Sequence, residues 1–375
     1  SLGAGGLTAR AQDSIFVTAS GDLAVDTLFS RADVTLAIPT GDLIRLTPAG
    51  ETTIRAASIN LLVNGDIGSA SDPLQVGVDT DGLFSVTSLT GSLYAGSLTQ
   101  PLLLGDTTAA GDIVFTAGRS GLSVLGTVVA GGQLVFDSPT GLVVIGDGWT
   151  ATADAGLTVT AARFSAGDGA GLFSGGDLRL AITQDASFGE NATADSVEDL
   201  LLESDTLVLA GGATLNASDG LTLSVANALT AGNGVTLAGA TLALGAGAVT
   251  LGDDATLTAG SGDLGLTAVS LTAGDRATFT AGRDQALTVT GALALGDTAT
   301  LTANRDLALA ATGITLGDDA TLGAGTGALS LDSGINALTV GARANLSGPS
   351  VTLTGGAVSI GTDSVIVATL GDLTV

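Results

Sequence analysis

Apolar and small polar residues alternate along this chain in runs of four or five, and the runs recur at a nearly fixed interval. In the segment "ATLTA", Thr256 and Thr258 flank Leu257; the same pattern returns 22 residues later as Thr278 and Thr280 around Phe279, and again as Thr300 and Thr302 around Leu301. One shorter step on stands Leu322. A second apolar file runs Leu271, Leu293, Ile314, and a third Leu251, Leu295, Leu316, with Ala273 filling one place. Strict alternation is the period of a β-strand. The runs are separated by "GD", "GDD", "AG" and "GRD", which are turn formers: Gly supplies positive φ and Asp bonds back to local backbone. Nothing apolar recurs at helical spacing, and the pieces are too short for stable helices.

A unit of about 20 to 22 residues with two or three short strands cannot bury its own apolar face, but stacked copies can. The pattern therefore predicts an all-β fold, a parallel β-solenoid (β-helix) with one coil per repeat. Leu257, Phe279, Leu301 and Leu322 should form an internal ladder, as should Leu271, Leu293 and Ile314. Thr256, Thr278 and Thr300 should line an outer face. Parallel crossovers are usually right-handed, so a right-handed coil is expected. Looser copies begin near Leu207, Val128 and Ala110 and fill much of the first 50 residues. Residues 1–375 then read as one continuous shaft of roughly 17 coils and about 80 Å, at about 4.8 Å per coil. The acidic stretch "ENATADSVED", residues 190–199, is expected to leave the shaft as a loop or short helix.

Composition narrows the function. The chain has no His, Cys, Met or Lys, all eleven basic residues are Arg, and the formal charge is −26. Nucleophilic systems built on His or Cys, imidazole or thiolate metal sites and Lys Schiff bases are excluded. Binding nucleic acid or an anionic membrane surface needs a basic footprint that this chain lacks. No apolar run reaches the roughly 18 residues of a membrane span. The absence of Cys fits either a reducing compartment or an exported protein without disulfides. Position 1 is Ser, with no signal peptide, and both ends lie in strand-like alternation without a capping element. The expected partner is therefore further β-helix, either a continuation of a longer chain or other copies stacked head to tail.

Candidate chemistry is sparse. The acidic turn "VDTDG" places Asp79 and Asp81 where calcium could bind, as could the "GDD" turns at 252–254 and 317–319, since Ca²⁺ favours clustered carboxylates and carbonyls; solvated turn formers are the plainer expectation, and no cofactor is expected. Arg283-Asp284 and Arg305-Asp306 recur one coil apart, which would stack like charges. Glu198, Asp199, Glu203 and Asp205 read as solvated charge rather than a catalytic dyad. Thr-x-Thr ranks would suit an ice-binding face, although the full pair survives only three rungs. Carbohydrate-active enzymes also use β-helices, and a carbohydrate-binding module would need exposed aromatics near Trp149; the chain has one Trp and one Tyr, Tyr94. The expectation is a non-enzyme.

The segments "LTAGD", "LTANRDLAL" and "SGDLGLTA" resemble the haemagglutinin-type repeats of filamentous haemagglutinin-like large exoproteins. So does "GDIGSASDPLQV" (65–76) followed by "GSLYAGSL" (91–98). The resemblance implies a right-handed β-helical shaft at the bacterial cell surface, often exported by two-partner secretion, acting in adhesion or matrix assembly and meeting surface glycans or receptors. The "NPNL"-type motifs of that family's secretion domain are missing, and its repeats define a scaffold from which no binding residue carries over.

Overall fold

The computed structural model describes residues 5–375, so the first four residues of the N-terminal stretch lie outside it. Among the described residues there are forty-two strands and no helix. The chain forms two compact units, Ser1–Asp185 and Ala186–Val375, each built of parallel β-solenoid, about 18 turns in total.

In the second unit a coil has three sides. The strand Thr256–Ala259 forms one, and the longer strand Leu264–Ala273 bends around a corner to supply the other two. The next coil begins at Thr278–Ala281; from there the long strand is divided, as Gln285–Val289 and Ala292–Leu295. Each strand pairs in parallel with its counterpart one coil away, so like positions stack. Leu257, Phe279, Leu301 and Leu322 are direct partners in one column and are fully buried. Leu271, Leu293 and Ile314 form a second buried column, and Leu251, Ala273, Leu295 and Leu316 a third. Thr256, Thr278 and Thr300 stack on the outside, half-buried by their neighbours. Burying a Leu side chain is worth about 1.5–3 kcal/mol, and a one-residue slip would turn every such column outward. The strand phase is thus fixed by the columns themselves.

Residues 190–199 correct the sequence-based expectation. They do not bulge as a loop or helix: Thr193–Ser196 is a strand in register with Thr214–Ala217. Ala192, Ala194 and Ser196 face inward and are buried, while the acids stand at turns or outside. Ala194 takes the inward place that Leu215 holds one coil on, so a segment without a large apolar residue can still be an ordinary rung.

The first unit follows the same plan with less uniform coils. Its corner-to-corner steps run 20, 24, 26, 20 and 21 residues. Its interior carries more aromatics: Phe84 meets Phe115 edge-on at 6.3 Å, and Phe115 stacks on Phe136 at 6.1 Å. Arg45 points inward and is 6% exposed; it pairs with Asp72 and donates to the Pro48 carbonyl at 2.6 Å, pinning two turns to the core.

Candidate functional surfaces

The corners carry most of the polar structure. At one corner of the second unit a residue of each coil adopts the left-handed backbone: Asn191, Asp254, Arg276, Thr298, Asp319, Arg343 and Asp363 have φ between 55° and 61°, and Gly212 and Gly234 have φ of 70° and 68°. The residue before this position faces the next coil. Asn233 Oδ1 accepts from the amide of Asp253 at 3.0 Å, Asp253 from Asp275 at 2.9 Å, Asp275 from Asp297 at 2.9 Å, Asp297 from Asp318 at 2.8 Å, and Asp318 from Ala342 at 2.8 Å. The recurring Gly-Asp dipeptide follows from this ladder. A Cβ on Gly274 would lie 2.5 Å from the Asp253 carboxylate, and one on Gly296 2.5 Å from that of Asp275, so only Gly can precede the Asp. The first unit has a matching ladder through Asp22, Asp42, Asp66, Ser92 and Asp112.

The four Arg side chains of the second unit each reach an Asp of the preceding coil. Arg276 clasps Asp254 with two donors, as do Arg305 with Asp284 and Arg343 with Asp319, while Arg283 lies 3.6 Å from Asp263. The backbones of Arg283 and Arg305 stack as their spacing implied, but the charges interleave diagonally and the like-charge contact is relieved. The hydrogen bond from Arg276 holds the Asp254 carboxyl below the usual carboxylate range, against a smaller desolvation effect; Arg305 and Arg343 do the same for Asp284 and Asp319. All these groups are solvated, so the pairs are worth little individually.

This geometry bears on calcium. At each "GDD" turn the first carboxylate serves the amide ladder, and the second is clasped by a guanidinium. Asp79 and Asp81 are exposed in a turn closed by the Gly82 amide on the Asp79 carbonyl at 2.9 Å. Among the described residues no three His, Cys, Asp or Glu side chains converge on a metal position.

The outer Thr column is longer than the sequence pattern suggested. Thr193, Thr214, Thr236, Thr256, Thr278, Thr300 and Thr321 stack in unbroken register over seven rungs, ending against Asn345. Its companion column keeps Thr only at Thr258, Thr280 and Thr302, between Ala238 and Gly323. Thr236 and Thr321 are readable as rungs that lack the second Thr, whereas Thr193 and Thr214 escaped sequence analysis because their neighbours, Asp195 and Asn216, do not repeat. Trp149 is 39% exposed at a corner beside Leu125, and Tyr94 is half-buried on a strand; the structure does not pair them as a sugar platform.

In-register parallel coils with inner aliphatic and outer Thr columns define a β-helical repeat protein. Among known proteins, no family, no curated protein and no solved structure matches the chain.

Proposed function

We propose that the chain is a length of rigid, non-catalytic β-helical shaft in a filamentous haemagglutinin-like exoprotein, right-handed and displayed outside a bacterial cell in adhesion or matrix assembly. The observation that carries this is axial continuity of bonding within each unit. Successive coils are tied by backbone ladders, by stacked side-chain columns and, at a run of corners, by Asp carboxylates accepting the next coil's amides. Such a quasi-one-dimensional fold resists bending and transmits length. The motifs at 65–76 and 91–98 support the family and, with it, the extracellular location. In this reading the partners are further β-helix, of this chain or another, and surface glycans or receptors. A large negative charge keeps parallel shafts apart. Negative-stain imaging of the purified chain should show rods, and antibody should label intact cells of the source. Compact globules, or turnover of polysaccharide by the purified chain, would defeat the proposal.

A further inference from the structure

In the first unit the strands Ile15–Ser20, Val34–Thr40, Ile59–Val63 and Phe84–Ser88 stack in register. On their outer face Phe16, Thr35, Asn60 and Ser85 form one column. A shallow depression of about 470 Å³ runs over the middle rungs, floored in part by Leu62 and closed at one end by Asp106. Phe16 faces outward one rung beyond Thr35 at the other end, on the first rung of this face.

The carboxylate wall is produced by a break in the repeat. Leu104 pairs with Phe84 and Thr107 with Val86, so Gly105 and Asp106 together oppose Ser85. Such a bulge re-aims a side chain, and bulges concentrate at functional positions. Here it sends Asp106 outward while Thr107 turns inward and is fully buried. Asp106 Oδ1 accepts the Thr127 amide at 3.0 Å, which anchors the carboxylate while the residue stays exposed.

We propose that this depression binds a short run of neutral hexose residues laid along the coil axis. An exposed ring stacks on the apolar face of a pyranose. The Asn60 amide and the Thr35 and Ser85 hydroxyls both donate to and accept from sugar hydroxyls, and the Asp106 carboxylate accepts a charge-assisted bond from a hydroxyl. Four coil steps separate Phe16 from Asp106, about 19 Å at ~4.8 Å each, a span suited to an oligosaccharide rather than a single sugar. Asp106 and the net charge of −26 disfavour uronic acid or sulfated chains.

The test is calorimetric titration of the whole chain with cellotetraose, maltotetraose and mannotetraose, with tetragalacturonate as the anionic control. At least one neutral tetrasaccharide should bind saturably. Phe16→Ala should weaken it about five- to tenfold and Asp106→Ala about tenfold. Trp149→Ala should leave affinity within about twofold. Phe16 is exposed, so an unchanged melting curve will show that its variant folds. Absence of saturable binding by all three neutral probes at millimolar concentration overturns the proposal. So does equal binding of tetragalacturonate, or unchanged affinity in both Phe16→Ala and Asp106→Ala. The shaft proposal is tested by imaging and survives or fails separately.

Discussion

Arg276 stands one coil beyond Asp254 and clasps it with two donors, Nε to Oδ1 at 2.7 Å and Nη2 to Oδ2 at 2.6 Å. Arg305 with Asp284 and Arg343 with Asp319 repeat the arrangement, and each holds its carboxyl below the ordinary value. A group depressed in the folded state adds stability that is fully present above its unfolded value of about 4 and is lost as pH falls through the depressed folded value. The melting temperature should be nearly flat from about pH 7 to 5 and fall below about pH 4. In an Arg276→Gln/Arg305→Gln/Arg343→Gln variant the acid fall should be shallower; an unchanged acid slope would show that these clasps do not contribute.

Gln285 interrupts a column of leucines, paired with Leu264 on one side and Leu307 on the other. It is 1% exposed, and neither its Nε2 nor its Oε1 has a hydrogen-bond partner. An unpaired buried polar group costs about 1–3 kcal/mol, so Gln285→Leu should stabilise the second unit by about 2 kcal/mol or more. A urea midpoint that rises bears this out; one that falls would mean that the amide has a partner, such as a buried water.

The inner and outer columns should respond oppositely to truncation. Leu301 is fully buried between Phe279 and Leu322, and Leu301→Ala should cost about 2–5 kcal/mol through the cavity it leaves. Leu301→Asp should unfold the surrounding coils, since an unpaired charge would lie between apolar rungs. Thr300→Ala, one residue away on the outer face, should change stability by less than about 0.5 kcal/mol. Comparable losses at both positions, read from denaturant curves, would put the strand phase out by one.

These columns were legible in the sequence because period-two alternation and a 22-residue step reinforce one another around Leu257, Phe279 and Leu301. Residues 190–199 were misread because composition hid the pattern: the inward positions are Ala192, Ala194 and Ser196, which look like loop residues when the acids between them dominate. The carboxylate–amide ladder was half legible. Gly-Asp reads as a turn, but the bond from Asp275 to the Asp297 amide joins residues 22 apart and appears only once the coils are in register. The depression beside Asp106 was not legible, since it depends on a bulge at Gly105 in coils of irregular length.

Thr298 occupies the left-handed corner position, with φ of 57°, where other coils carry Gly, Asn, Asp or Arg. A β-branched residue is poorly suited to that backbone, which costs L-residues roughly 1–2 kcal/mol. Thr298→Asn matches Asn191 at the equivalent corner and should raise stability by about 1 kcal/mol. An unchanged or lower melting temperature would show that the Thr298 hydroxyl, which donates to the Asp297 carbonyl at 2.6 Å, offsets the strain.

The carboxylate ladder sets a hydrogen bond against a repulsion. Asp297 accepts the Asp318 amide at 2.8 Å, while its own amide donates to Asp275. The ladder therefore stacks like charges at successive rungs, and like charges directly opposite are destabilising. What each rung requires is an oxygen acceptor, not a charge: Asn233 fills the first place in this ladder and Ser92 one in the other. Asp297→Asn should keep the bond, relieve the repulsion and leave stability equal or higher by a few tenths of a kcal/mol. Asp297→Ala should leave the Asp318 amide without its side-chain acceptor and lower stability by about 1 kcal/mol. Added salt should narrow the gap between parent and Asp297→Asn, because screening acts on the repulsion alone. If Asn and Ala prove equally destabilising, the charge itself is needed at this corner, and a cation shared between rungs becomes the explanation to pursue.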